Sequence, residues 1–346
     1  NGNYGLNASW TLYNGNKRLK TIQQEKLNNQ VAELDVATSE NNIQESIAQV
    51  YIQILYAAES VKVNESTLQV SIAQRDRGQE LLNAGSIAKS DFAQLEAQVS
   101  TDRYQLVTAQ ATLEDYKLQL KQLLELDGEN EMNIYLPALS DENVLAPLPT
   151  KKDVYISALS LRPEIEASKL NVEASELGIG IAKSSYLPTI SLSAGIGTNH
   201  TSGSDFTFGE QVKNGWNNSI GLSVSVPIFN NRQTKSAVQK AKLQYETSML
   251  SLLDEQKTLY KTIEGLWLDA NSAQQRYAAA NEKLKSTQIS YELISEQFNL
   301  GMKNTIELLT EKNNLLQAQQ EQLQAKYMAI LNTQLLKFYQ GDQLAL

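Results

Sequence analysis

The stretch Phe298-Asn299-Leu300-Gly301-Met302-Lys303-Asn304-Thr305 interrupts a helical pattern that is long on both sides. Gly301 can take the left-handed backbone conformation that ends a helix, and Asn304 or Thr305 can cap the helix that follows. The same arrangement stands earlier, at Leu82-Asn83-Ala84-Gly85-Ser86. The two glycines lie 301 − 85 = 216 positions apart. A fixed offset between two such punctuation marks is the signature of an internal repeat, and a repeat decides the fold.

The offset holds without a gap. It carries Tyr13-Asn14 to Phe229-Asn230, Leu27 to Leu243, Leu34 to Leu250 and Ile47 to Ile263. It carries Tyr51 to Trp267, Leu68 to Leu284, Asn83 to Asn299 and Asp91 to Glu307. The chain therefore holds two copies of a strand, long helix, turn, long helix unit.

Composition agrees. Of 346 residues only 6 are Pro and 17 Gly. Gln, Asn, Ala, Leu, Glu and Lys dominate, which is the usage of long helices rather than of a sheet-rich core. The net charge is −9 and no basic cluster occurs, which argues against a nucleic-acid partner. No run of about 18 apolar residues marks a transmembrane helix, and no signal peptide is visible. The sequence opens on Asn1-Gly2-Asn3-Tyr4, already inside a strand pattern, so an N-terminal truncation is expected.

In residues 3–12, Tyr4, Leu6, Ala8, Trp10 and Leu12 alternate with Asn3, Gly5, Asn7, Ser9 and Thr11, the period of a strand with one apolar and one polar face. From about Lys17 to Leu82 the apolar spacing is helical, with Leu27, Val31, Leu34, Ile43, Ile47, Val50 and Ile54 in a narrow stripe. Some 65 residues of helix would span roughly 100 Å, and a stripe that narrow suits side-by-side helix packing. A second helix is expected from Ser90 to Leu126. Asp127-Gly128, Pro137, Pro147 and Pro149 then mark an irregular connector. A helix follows to about Ser185, broken near its start by Leu161-Arg162-Pro163-Glu164. Two more alternating runs come next. Ile190, Leu192, Ala194 and Ile196 form one apolar face, and Ile220, Leu222, Val224, Val226 and Ile228 the other, with Ser, Thr and Gly opposed. Thr201 to Gly215 reads as a polar loop between them. The helices of the second copy are expected over Arg232–Asn299 and Thr305–Tyr339.

Strands of about ten residues, apolar on one side and small and polar on the other, fit a transmembrane β-barrel with a wet lumen. They also fit the edge of a soluble sandwich. The aromatics Trp10, Tyr13, Tyr186, Trp216 and Phe229 stand at strand ends, where membrane interface girdles lie. No other apolar layer in the chain could cover these faces. Residue 217 maps onto residue 1, so residues 151–216 of the second copy, about 216 − 150 = 66 of them, have no counterpart in the first. One strand lost there plus three visible makes four per complete chain. Since the smallest bacterial barrels use about eight strands, several chains must share one.

Leu161-Arg162-Pro163-Glu164-Ile165, the run Gly180-Ile181-Ala182-Lys183-Ser184-Ser185-Tyr186-Leu187-Pro188-Thr189-Ile190-Ser191-Leu192, Val226-Pro227-Ile228-Phe229-Asn230 and the two glycine turns together resemble the TolC-type outer-membrane efflux proteins. The resemblance covers essentially the whole chain. It implies a homotrimer in the Gram-negative outer membrane, with a shared 12-stranded β-barrel set in outer-membrane lipid. A trimeric α-barrel of long helices would continue it through the periplasm. It also implies a passive exit duct that docks a periplasmic adaptor (membrane fusion) protein and an inner-membrane pump of the resistance-nodulation-division, ABC or major-facilitator type. The duct would belong to a tripartite efflux or type I secretion system. On this reading residues 1–13 are a barrel strand, 14–126 the first helix pair, 127–150 an equatorial connector and 151–188 an α-barrel and equatorial helix. Residues 189–229 are a barrel hairpin with an extracellular loop, 230–340 the second helix pair and 341–346 an equatorial tail.

The resemblance also assigns the glycine turns. Gly85, Ser86, Gly301, Asn304 and Thr305 fall at the adaptor-facing periplasmic tip. The family carries an acidic gate ring six and nine residues after the second glycine. Glu307 matches the first, and Thr310 stands at the second, with Glu311 about 100° away around a helix. The family's latch joins an acidic residue, matched by Asp91, to a basic one, matched by Lys303, and to a tyrosine replaced here by Phe298. A lone Asp91–Lys303 pair is therefore expected, worth only about 0–1 kcal/mol if exposed. Three Glu307 carboxylates on a trimer axis would favour cations. Taken by itself, Glu307 also reads as a helix N-terminal carboxylate favoured by the dipole.

No set of residues supports catalysis. The sequence has no cysteine and a single histidine, His200, beside a polar loop, so no metal or cofactor site is expected. Gly178-Ile179-Gly180 lies inside helix pattern and precedes no phosphate-binding helix. Asn199-His200-Thr201 fits a glycosylation sequon, a match common by chance. The alternative to a duct is a non-channel helical scaffold or surface coiled-coil protein, which the alternating strands disfavour.

Overall fold

The computed structural model describes residues 1–126, 134–135 and 144–344. Most of the expected equatorial connector, 127–133 and 136–143, lies outside the described residues, as do the last two of the tail. The elements run β1 (Gly2–Asn14), α1 (Lys17–Asn83), α2 (Lys89–Leu123), α3 (Lys151–Leu161), α4 (Pro163–Ser184), β2 (Thr189–His200), α5 (Phe208–Asn214), β3 (Asn217–Ser225), α6 (Gln233–Asn299) and α7 (Thr305–Gln340). The fold is mainly α, and the repeat is exact to the residue where it matters. Adding 216 to the ends of α1 gives the ends of α6, and adding it to Lys89 gives Thr305. The paired left-handed residues that lead into the long helices, Gly15 and Asn16, recur as Asn231 and Arg232.

The chain divides into two compact units. The first comprises Asn1–Ala37 and Pro163–Lys257. It holds an antiparallel sheet in the order β1-β2-β3. Register sorts the side chains by face, because a strand has period two. Leu6 pairs with Ile196. Ala8, Ala194 and Ile220 stand in one row, Trp10, Leu192 and Leu222 in the next, and Tyr13, Ile190 and Val224 in the last. The opposite face carries rows Asn7, Gly195, Ser219; Ser9, Ser193, Gly221; and Thr11, Ser191, Ser223. A bulge between Thr11 and Tyr13 puts Tyr13 where strict alternation would put Leu12. The apolar face is bare: Leu6 is 70% and Ile220 83% exposed. β3 ends at Ser225, short of the expected run through Ile228. Pro227 has a fixed φ and no N–H to give a ladder.

In the same unit α1 lies close to α4. Lys20 Nζ donates to the Gly180 carbonyl at 3.4 Å, and Gln24 Nε2 to the Ala174 carbonyl at 2.7 Å. A Cβ on Gly180 would meet the end of the Lys20 side chain at 2.9 Å. The expected polar loop 201–215 contains the short helix α5. Thr207 caps it and Glu210 reaches back to the Thr207 N–H at 2.9 Å, a capping box.

The second unit, Thr38–Arg162 and Thr258–Leu346, is helix on helix. Its core is the cluster Ile52, Leu55, Tyr327, Leu331 and Leu335, beside Val144, Ala273, Tyr277, Ala325 and Ala329. Pro163 cannot continue α3, so the chain breaks at Arg162. That arginine is buried, pairs with Glu45 at 3.2 Å and stacks its guanidinium 4.3 Å from the Tyr339 ring.

Candidate functional site

Both helix pairs of the second unit turn through the same hydrogen-bonded loop. At the first turn Gly85 N–H donates to the Leu82 carbonyl at 3.0 Å and Ser86 N–H to the Leu81 carbonyl at 2.8 Å. At the second, Gly301 N–H donates to the Phe298 carbonyl at 2.9 Å and Met302 N–H to the Gln297 carbonyl at 2.8 Å. This six-to-one and five-to-two pattern is the Schellman motif, which needs a left-handed residue. Gly85 and Gly301 supply it with φ of 72° and 73°. A Cβ at either would meet nothing within 4 Å, so backbone conformation alone requires glycine.

The helices that leave the turns also start alike. Asn304 is the N-cap of α7, and its Oδ1 accepts from the Glu307 N–H at 2.9 Å. Glu307 reaches back to the Asn304 N–H at 3.2 Å. At the equivalent place in α2, Asp91 reaches back to the Ala88 N–H at 3.3 Å, while Ala88 has no side chain to cap with. Of the two expected caps, Asn304 does the capping and Thr305 is buried just inside the helix.

Within the chain the expected Asp91–Lys303 pair is not formed. Lys303 Nζ lies 2.5 Å from Glu307 Oε1. The Lys303 ammonium and then the Asn304 N–H hold the Glu307 carboxyl below its usual range. The physical reason is proximity. Asp91 and Glu307 both sit in the first turn of a helix, whose unpaired N–H groups draw each carboxylate back onto its own start. Lys303 reaches Glu307 four residues on without crossing to another helix. Thr310 is exposed and donates to the Ile306 carbonyl at 2.8 Å, and Glu311 accepts from Ser290 at 3.2 Å.

Phe298, read in the sequence as a latch tyrosine without its hydroxyl, packs differently. It is 2% exposed and forms an apolar plug with Leu95 of α2 and Leu308 of α7, ringed by Leu81, Tyr291, Ile294 and Leu309. The plug joins both helix pairs at the tip. Close packing within the first pair also depends on Gly78, where a Cβ would stand 2.3 Å from Leu95 Cδ1.

Above the plug lies a polar cluster that sequence reasoning did not find. Lys312 of α7, Asp102 of α2 and Ser71 of α1 meet in mutual hydrogen bonds, each 3% exposed or less. Gln98 Nε2 donates to the other Asp102 oxygen at 2.9 Å. Burial pulls the Lys312 ammonium down from its ordinary pKa, and Asp102 opposes that pull. Nearby, Gln74 Nε2 of α1 donates to the Tyr291 hydroxyl of α6 at 2.7 Å. The strand-end aromatics belong to the first unit. Trp10, Tyr13, Tyr186, Trp216 and Phe229 are all exposed.

Residues 154–341 match the family described as Outer membrane efflux protein. Outer membrane efflux protein BepC of Brucella suis is 24% identical over 294 residues, 84% of this chain and 61% of that protein. Outer membrane protein TolC of Escherichia coli is 23% identical over 311 residues, 87% of this chain and 62% of that protein. The chain thus spans about three-fifths of the length of these curated relatives. Among solved structures, CusC superposes with a TM-score of 0.84 at 19% identity, covering 99% of this chain and 78% of that one, a likeness of fold. The family match takes in α7, the second glycine turn and two of the three bare-faced strands, and on it the chain belongs to the outer membrane efflux protein family.

Proposed function

We propose that the protein is a passive exit duct, in which three copies close one β-barrel in the outer membrane and one helical barrel in the periplasm. The observation that carries this reading is the sheet. Three antiparallel strands, with one bulge in β1, give one exposed and mostly apolar face and one face of Asn, Ser, Thr and Gly. A hydrocarbon layer suits the first and a water-filled lumen the second. β1 and β3 pair on one side only. Open edges do not occur in hydrocarbon, so further strands, the fourth expected of a complete chain and those of other copies, complete the ladder. A helical scaffold outside the membrane would leave the apolar rows in water.

The tip is the working end. Glu307 and Lys303, with Asp91 at the equivalent start of α2, are among the charged groups beside the two turns. In a trimer the three Glu307 carboxylates converge on the axis and set a cation preference at the entrance. The glycine turns at Gly85–Ser86 and Gly301–Thr305 form the docking surface for a periplasmic adaptor, which couples the duct to an inner-membrane pump. Small-molecule efflux and type I protein secretion use the same duct, and the pump selects the cargo.

Native mass spectrometry of the full-length protein in detergent tests the assembly. A trimer is expected. A stable monomer that still binds detergent as a membrane protein would defeat the shared barrel.

A further inference from the structure

Three contacts set α5 against β1 and β2, and all three lie on the apolar side of the sheet. Tyr4 and Thr198 are cross-strand partners, as are Gly2 and His200, and alternation puts them in line with Leu6, Ile196, Trp10 and Leu192. The Phe208 ring meets Tyr4 edge to face at 6.4 Å and His200 at 5.1 Å. The Thr198 hydroxyl donates to the Val212 carbonyl at 2.9 Å. The short helix therefore covers the last row of the apolar face, not the polar one. It is held there by its own capping box and by Gln211, which accepts from the Thr201 N–H and donates to the Phe206 carbonyl.

What it leaves outward is aromatic. Phe206, Phe208, Trp216 and Tyr4 are each 55–60% exposed. Water would disfavour four such rings at one end of the sheet. A membrane interface favours them, because flat rings with one apolar side settle at the headgroup level. The patch stands at the end of the apolar rows, next to Leu6 and Ile196 on the same side of the sheet, so the surface that meets the strands meets α5 as well.

We infer that α5 and its flanking aromatics form a lipid-contacting shelf that rests in the headgroup layer at the outer end of the barrel. The inference rests on the membrane reading of the sheet. It adds that the 206–216 segment is folded back onto lipid and does not stand over the lumen, while Ser202 at the start of the loop faces the external water.

The chain has no cysteine, so single labels are clean. The full-length protein carrying Phe206→Cys, Phe208→Cys, Ser202→Cys or Leu222→Cys is labelled with bimane. It is then reconstituted in phosphatidylethanolamine–phosphatidylglycerol vesicles. A headgroup-nitroxide lipid should quench the labels at 206 and 208 several-fold more than the one at Ser202, while aqueous iodide does the reverse. A lipid brominated in its acyl chains should quench the label at 222. If 222 is quenched while 206 and 208 behave like 202, the shelf is wrong and the barrel stands. If 222 is unquenched as well, the membrane reading of the sheet falls, and the shelf with it.

Discussion

Asp102 and Lys312, 210 positions apart in sequence, form a buried ion pair that ties α2 to α7. Ser71 bonds to both and brings in α1. The repeat has no second copy of it. The 216 offset carries Ser71 to Thr287 and Asp102 to Ala318, and Lys312 corresponds to Glu96. Only one of the two related positions can hold the pair, and it joins the two helix pairs of a chain to each other.

Breaking that pair from one side leaves a charge without its partner in a dry site. Lys312→Met should destabilise the protein by about 3–5 kcal/mol, read as a fall in the urea midpoint. The double variant Asp102→Leu/Lys312→Met should recover most of the loss, because a packed apolar pair of similar volume is about as stable as a buried ion pair. Equal midpoints for Lys312→Met and the parent would contradict a buried charge at this point.

The plug makes a separate demand. Phe298→Ala removes a fully buried ring from between Leu95 and Leu308 and should cost about 3–5 kcal/mol. Hydrogen exchange should show the added opening at the ends of α6 and α7 first. A cost below about 1 kcal/mol would mean that the ring is not packed as described.

Gly85 and Gly301 are required for φ alone. Alanine at either has room but must adopt a left-handed conformation, at about 1–2 kcal/mol. The two substitutions should cost about the same, and their sum should be additive because the sites share no side-chain contact. A much larger cost at one turn would point to a contact in the assembled protein.

The Glu307 carboxyl titrates below the ordinary glutamate value of 4.5. A lowered folded pKa stabilises the folded tip above the unfolded value, and that stabilisation is lost as pH falls through the folded one. Melting temperature should therefore fall less steeply below pH 4.5 in Glu307→Gln than in the parent. Lys303→Gln removes the largest cause of the shift and should raise the titration midpoint of Glu307 in carboxyl NMR. An unmoved midpoint would show that Lys303 does not hold it.

Much of this was legible in the residues. Two glycines and one offset placed four long helices to within a few residues, and alternation separated the faces of the strands except past the β1 bulge, where Tyr13 takes the row expected of Leu12. What escaped notice was long-range or side-chain in origin. Lys312 and Asp102 drew no reading of their own, since nothing local announces a partner 210 residues away. A signal existed in the stripes. Lys312 continues Leu308 and precedes Leu315, and Asp102 continues Leu95 and Val99, so both charges occupy apolar positions. Likewise Thr207 and Glu210 spell a capping box inside what reads as a polar loop. Within the chain Lys303 pairs with Glu307 and Asp91 bonds the Ala88 N–H for a local reason, because helix starts draw carboxylates onto themselves.

On the proposed reading this chain builds a conducting duct with an acidic entrance. Its most direct test is the reversal potential of the full-length protein in a planar bilayer under a potassium chloride gradient. The parent should conduct with cation preference, and Glu307→Gln should conduct with that preference reduced. A full-length trimer that inserts but passes no current, or whose selectivity is the same with Glu307→Gln, would contradict it.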